Sequence, residues 1–133
     1  MAASGAGRLE AGDRAPNFKL TTDQGDTVSK ASLKGQPFVV YFYPKDDTSG
    51  CTKEAIAFSA ALKAFQKLGV FVLGVSKDSL ESHAKFRAKH KLKVALGADP
   101  DIQMAQAWGV WGEKSLYGRK YMGLERATFL VAG

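Results

Sequence analysis

The apolar residues of this chain fall into blocks with two different periods. Phe38 to Tyr43 is an unbroken run of six apolar and aromatic residues, the mark of a strand covered on both faces. It stops at Pro44, which has no N–H to give to a ladder. From Cys51 to Leu68 the spacing changes to threes and fours, with Ala55, Phe58, Ala61, Leu62, Phe65 and Leu68 on one side. That pattern predicts a long amphipathic helix closed by Gly69. Val70 to Val75 reads as a further strand, Ser79 to His90 as a second helix, and Asp101 to Trp108 as a short third helix opened by Pro100. Upstream, Asp13 to Leu20 reads as a loop with Pro16 running into a short strand around Phe18 to Leu20. Gln24, Gly25 and Asp26 then mark a turn before a short segment at Thr27 and Val28. Downstream, Gly109, Gly112, Gly118 and Gly123 punctuate the stretch from Trp111 to Met122, and Ala127 to Val131 reads as a final strand. Strands alternating with helices of this length predict an α/β fold with helices packed on a mixed sheet.

A length of 133 residues suits one domain with its own core. Residues 1–133 are therefore expected to form a single domain, with roughly the first twelve as a loose leader. At 45% hydrophobic and 24% charged residues the chain is not of a disordered class. No run approaches the roughly 18 apolar residues that span a bilayer, and Met1 to Glu10 lacks the apolar stretch of a secretory signal. A soluble, cytoplasmic protein without a membrane partner is expected. The net charge is +6, from 19 basic and 13 acidic residues. Its densest cluster, Lys85, Arg87, Lys89, Lys91 and Lys93, reads as a solvated helix face running into a turn. Nucleic-acid binding calls for interleaved aromatics, and only Phe86 is near. His83 and His90, seven apart on the second helix with no partner at ligand spacing, read as surface residues and not as metal ligands. Trp108 and Trp111 read as packing residues.

Chemistry enters with Cys51, the only cysteine. No disulfide within the chain and no multi-cysteine metal site follows from one thiol. The order strand, polar loop, helix puts Cys51 at or near the first turn of the long helix, where unsatisfied N–H groups and the positive dipole end lower the cost of a thiolate. A lone cysteine on an apolar face is often inert filler. Here it is flanked by Gly50 and Thr52, with Asp46, Asp47, Lys53 and Glu54 close by, and that polar rim favours a reactive thiol.

The segment Tyr41-Phe42-Tyr43-Pro44-Lys45-Asp46-Asp47-Thr48-Ser49-Gly50-Cys51-Thr52-Lys53-Glu54 resembles the active-site loop of peroxiredoxins, in particular the bacterioferritin comigratory protein or peroxiredoxin Q subfamily. Proline, three residues, threonine, two residues, cysteine is that family's signature. Gly12, Asp13, Ala15, Pro16 and Phe18 match its entry segment. Trp108 to Lys114, Gly118, Tyr121, Gly123 and Arg126 to Leu130 match its later stretch. The resemblance implies a thioredoxin-like fold and a thiol peroxidase that reduces hydrogen peroxide and organic hydroperoxides without metal, haem or other cofactor. It implies that Cys51 is the peroxidatic cysteine, that Thr48 turns its hydroxyl toward sulfur and peroxide, and that Arg126 holds the thiolate and the developing charge. Pro44 would roof the pocket and Glu54 would orient the arginine. Each has a plainer reading: Pro44 as a strand terminator, Thr48 as a helix cap, Glu54 as a dipole partner, Arg126 as a surface strand residue.

Two departures from the family pattern stand out. Members carry a resolving cysteine either five residues after the peroxidatic one or in the next helix, and these places hold Ile56 and Arg87. The resemblance then implies reduction by an external thiol such as thioredoxin, glutaredoxin or glutathione, or by a second copy of the chain. The family also continues past the equivalent of Val131 with another strand and a helix, so a missing layer and a monomer or weak homo-oligomer are expected. A redox-sensing or holdase-like binding protein is one alternative. A general thiol-disulfide oxidoreductase is another, disfavoured by the lack of a Cys-x-x-Cys pair.

Overall fold

The computed structural model describes residues 12–116 and 118–132. The expected leader thus lies almost wholly outside the described residues. The elements run β1 (Lys19–Thr22), β2 (Thr27–Ser29), a 3-10 turn (Ala31–Leu33), β3 (Phe38–Phe42), α1 (Ser49–Lys67), β4 (Phe71–Ser76), α2 (Leu80–His90), β5 (Ala95–Ala98), α3 (Gln103–Ala107), β6 (Trp111–Leu116), β7 (Arg119–Leu124) and β8 (Ala127–Val131). Six strands form one sheet in the order β2-β1-β5-β4-β3-β8, and β6 with β7 forms a separate hairpin. The sheet is mixed, as expected: β3 pairs parallel with β4 and β4 with β5, while β1 and β8 join antiparallel.

The alternation of β3 divides the interior in two. Phe38, Val40 and Phe42 face a core with Phe18, Leu20, Leu73, Val75, Met104, Trp108 and Val110. Val39, Tyr41 and Tyr43 face a second core with Val72, Leu96, Phe86 and the inner side of α1. Successive strand side chains point to opposite faces, so an unbroken apolar run means both faces are covered. Burial of every residue of β3 bears this out. On α1 the buried side runs Cys51, Ala55, Phe58, Leu62 and Phe65, at the helical spacing read from the sequence. Ala61 is exposed and Leu68, past the end of the helix, is 76% exposed.

Two parts of the fold differ from expectation. β5, with the sequence Ala-Leu-Gly-Ala, has no β-branched residue and no alternation; its place between β1 and β4 is set by sheet pairing instead. The glycine-punctuated stretch is the β6–β7 hairpin, paired from Trp111↔Leu124 to Leu116↔Arg119 and turning at Gly118 with φ +78°. Most of β7 is exposed, so no apolar side marks it as a strand.

One glycine is required by packing. Tyr41 lies across its register partner Gly74 on β4, stacked between Tyr43 and Phe58 at ring distances of 5.7 and 4.5 Å. A Cβ at Gly74 would sit 2.6 Å from the Tyr41 ring and hydroxyl. Gly74→Ala is therefore expected to destabilise the chain by about 1–3 kcal/mol through overpacking, read from denaturant unfolding; an unchanged midpoint would mean that Tyr41 finds another rotamer freely.

Candidate active site

The site is assembled at the carboxyl end of β3, where ligands gather in open α/β sheets. After Tyr43 the chain leaves the sheet through Pro44, Lys45, Asp46 and Asp47 and enters α1 at Thr48, the N-cap residue with φ −92° and ψ 155°. Thr52 makes the first helical bond, N–H to the Thr48 carbonyl at 2.8 Å. The N–H groups of Ser49, Gly50 and Cys51 precede it and have no acceptor within the helix. Cys51 is thus in the first turn, two residues further into the helix than a start at Cys51 itself would place it, and its side chain is 2% exposed.

Arg126 comes from the opposite end of the chain. β8 runs antiparallel to β3 with Phe42 opposite Ala127, so the residue before Ala127 lies beside the loop that leaves β3. Its Nη2 reaches Cys51 Sγ at 3.2 Å and its Nη1 reaches Glu54 Oε1 at 2.8 Å. Glu54 is one turn beyond Cys51 on α1, so one guanidinium bridges both. Gly50 leaves room for it: a Cβ there would stand 3.0 Å from Nη2. Sequence reasoning passed over Gly50, although a glycine in the first turn of a helix, where it carries a propensity cost, was the available signal.

Burial pushes the Glu54 carboxyl above its ordinary range while Arg126 pulls it back. For Arg126 burial works against the charge, yet hydrogen bonding and attraction to Cys51 and the Glu54 carboxylate raise it further. The guanidinium is divided between sulfur and carboxylate, so neither neutralises it alone. Tyr41, behind the cysteine, is held neutral chiefly by burial and then by the negative groups around it.

Pro44 and Thr48 frame the loop without a hydrogen bond to the sulfur, whose partner is Arg126. Pro44 is half-buried, and exposed Thr48 donates its hydroxyl to the Lys45 carbonyl at 3.0 Å. The N-cap side chain makes no capping hydrogen bond. Of the five expected residues, Cys51, Glu54 and Arg126 are in direct contact, while Pro44 and Thr48 flank them in the loop.

Two expectations about α2 are corrected. His83 is not a surface residue: it is fully buried, with Nδ1 2.7 Å from Asp46 Oδ2 and Nε2 3.0 Å from the Gly97 carbonyl. Arg87 is not part of a solvated basic face either. It grips Asp23 through Nε and Nη2 at 2.5 and 3.0 Å and donates to the carbonyls of Leu92 and Val94, both at 2.7 Å. His90 is partly exposed and, with Lys89, binds the Asp47 carboxylate at 2.8 and 2.7 Å. Ile56, the other position without the second cysteine, is 45% exposed on α1.

The AhpC/TSA family model matches residues 11–133. A putative peroxiredoxin bcp of Coxiella burnetii is 46% identical over 123 residues, covering 92% of this chain and 82% of that protein. Peroxiredoxin Bcp of Bacillus subtilis is 45% identical, covering 92% and 78%. A solved structure of the Xanthomonas campestris bacterioferritin comigratory protein, described for its alkyl peroxide reduction activity, superposes with a TM-score of 0.81 at 40% identity, covering 86% of this chain and 73% of that one. The chain belongs to the AhpC/TSA family. It has the thioredoxin fold of the peroxiredoxins and their enzyme class, thiol-dependent peroxidase. Among the described residues no helix is long and apolar enough to cross a membrane.

The loop itself predicts an acid response. Burial opposes ionisation of Asp46, but hydrogen bonds from His83, Tyr43 and Ser82 outweigh it and hold the carboxyl below its ordinary range. A depressed folded-state value gives stability that is present above the unfolded value, near pH 4, and lost as pH falls through the folded one. Glu54, shifted upward, acts in the opposite direction. Unfolding midpoints of the parent are expected to drop steeply below about pH 4. Asp46→Asn should start lower at neutral pH and drop less over the same interval, and equal slopes would remove Asp46 from the acid response.

Proposed function

We propose that Cys51 is the peroxidatic residue and that Arg126, Thr48, Glu54 and Pro44 build its pocket. One observation carries this reading: a single guanidinium bonded to both Cys51 Sγ and Glu54 beside the start of α1. The sulfur attacks one peroxide oxygen as thiolate, a sulfur–oxygen bond forms and the oxygen–oxygen bond breaks. The sulfur is oxidised to sulfenic acid and the peroxide is reduced to an alcohol or water, with the leaving oxygen taking up a proton. Arg126 faces the charge as it passes from sulfur to the leaving oxygen, a fixed donor that need not reorganise. The free N–H groups at the start of α1 offer a second set of donors. Thr48 swings its hydroxyl from the Lys45 carbonyl to the peroxide, Glu54 aims the guanidinium, and Pro44 shields the sulfenic acid from water.

No second thiol is present in the sequence, so the cycle closes with an external one. A thiol such as thioredoxin, glutaredoxin or glutathione displaces water from the sulfenic acid to give a mixed disulfide. A second thiol then releases Cys51 and leaves as the disulfide. The proposed enzyme is cytoplasmic and takes hydrogen peroxide and organic hydroperoxides.

Cys51→Ser is expected to abolish peroxide consumption in a thiol-coupled assay. Arg126→Ala should slow Cys51 oxidation by about 10²–10³-fold, followed by stopped-flow or timed intact-mass measurement; a rate equal to the parent's would take Arg126 out of the mechanism. Gly50→Ala should slow the same step with little change in the unfolding midpoint, because the added methyl meets only the guanidinium end of Arg126 and displaces it from the sulfur.

A further inference from the structure

His83 presents a proton count that its neighbours cannot satisfy with a neutral ring. Nε2 faces the Gly97 carbonyl at 3.0 Å, and a carbonyl only accepts, so Nε2 carries a proton. Nδ1 lies 2.7 Å from Asp46 Oδ2. The Tyr43 hydroxyl also lies 3.4 Å from Nδ1 but spends its one proton on the much nearer Asp46 Oδ1 at 2.6 Å, and Ser82 gives its proton to Oδ2 at 2.8 Å. Neither hydroxyl has a proton left for Nδ1. The Asp46 carboxyl, already accepting on both oxygens, is held in its ionised form, which leaves Nδ1 as the bearer of the proton in the short contact.

The pair sits beneath the loop that carries Cys51. Asp46 also donates its backbone N–H to Asp78 Oδ2 at 2.7 Å, and Ser76 donates to the same oxygen at 2.7 Å. Next in sequence, Asp47 is in the left-handed region at φ 60° and is tied to Lys89 and His90. Lys45, one residue before, receives the Thr48 hydroxyl. α2 therefore grips the loop from inside through His83 and from outside through Lys89 and His90. The residues so held lead directly into the first turn of α1 and Cys51.

We propose that His83 is a buried imidazolium paired with Asp46, and that this pair is a positioning device for the peroxide reaction, holding residues 43–48 in the shape that sets Cys51 against Arg126. The proposal rests on the reading of Cys51 as the reacting thiol. The ring touches neither sulfur nor substrate; it acts through Asp46. The charged group that faces the ring is Asp46 from the loop, whose backbone N–H is in turn bound to Asp78 after β4; β5 contributes the Gly97 carbonyl. Only Asp46 is within bonding reach of Nδ1 as an ionised group. A buried charge of this kind persists when paired and hydrogen-bonded on every side.

Two measurements on the full chain test it. Nitrogen-15 spectra of the histidine rings at neutral pH, with His83 assigned by its loss in His83→Gln, are expected to show both ring nitrogens protonated; one bare nitrogen overturns the proposal. The rate of Cys51 oxidation by hydrogen peroxide is then compared across variants that keep native circular dichroism. His83→Gln, whose amide replaces the Nε2 donor, and Asp46→Asn are expected to be at least tenfold slower than the parent. His83→Asn, whose amide replaces the Nδ1 donor toward Asp46, should recover most of the parent rate. Equal losses in His83→Asn and His83→Gln would mean that the ring only fills space and would overturn the positioning role. If the larger changes prevent folding, Ser82→Ala removes one donor to Asp46 from the half-exposed side and is expected to slow the reaction about twofold or more; no change overturns the proposal. A parent that reacts no faster than free cysteine would instead sink the reading of Cys51, and a fast parent with equally fast variants would sink the role of His83 alone.

Discussion

The register between β3 and β8 is the constraint on which the rest of the site depends. Phe42 lies opposite Ala127, and that one pairing carries Arg126 across 75 residues of sequence to the sulfur of Cys51. A slip of one residue would turn Phe129 and Ala127 from the core to the other face and aim the arginine away from the loop. The register is therefore held by core packing, with Phe129 against Phe42 and Trp108 at ring distances of 6.0 and 5.3 Å. Apolar contacts on one side of the sheet fix a charge–sulfur contact on its edge. Stability and chemistry are coupled here through backbone geometry rather than through shared residues.

The cysteine is caught between two kinds of anchoring. On its helix it belongs to the apolar stripe with Ala55 and Phe58, packed against Tyr41 of β3, which buries the sulfur. On its loop it is preceded by Asp46 and Asp47, whose carboxylates are bound to α2, and the Asp46 backbone N–H is donated to Asp78 in the turn after β4. α2 has little apolar surface of its own to bury, with Phe86 and His83 as its buried residues. The polar network around Asp46 is thus part of what attaches this helix to the sheet as well as what shapes the loop.

Much of the architecture could be read from local pattern. The run from Phe38 and the stripe on α1 announce their elements because one residue type decides burial at each position, and Cys51 falls at the start of the helix for the same reason. β5 and the β6–β7 hairpin were illegible because partners distant in sequence, rather than local pattern, make them strands. The same holds for side chains. The bond between Arg87 and Asp23 joins residues 64 apart, and His83 meets Asp46 across 37, so a basic cluster and a lone histidine looked like solvated surface. Arg126 was reached through family resemblance, since nothing near it in sequence distinguishes it from any other strand-end arginine. Gly74, which reads as a blemish in a strand, is explained only by the ring of Tyr41 lying across it.

The burial of the sulfur has a kinetic meaning. A group that is 2% exposed admits a molecule of two heavy atoms far more readily than a thiol mounted on another protein. On the proposed reading of Cys51 as the reacting thiol, a protein donor would reach the sulfur only where the loop before α1 parts from Arg126, whereas peroxide would not need that opening. For a bulky donor, turnover on that reading would level off with rising donor concentration at the rate of that opening. Small thiols escape that ceiling. On that reading the tethers that hold the loop over the sulfur would also sort reductants by size.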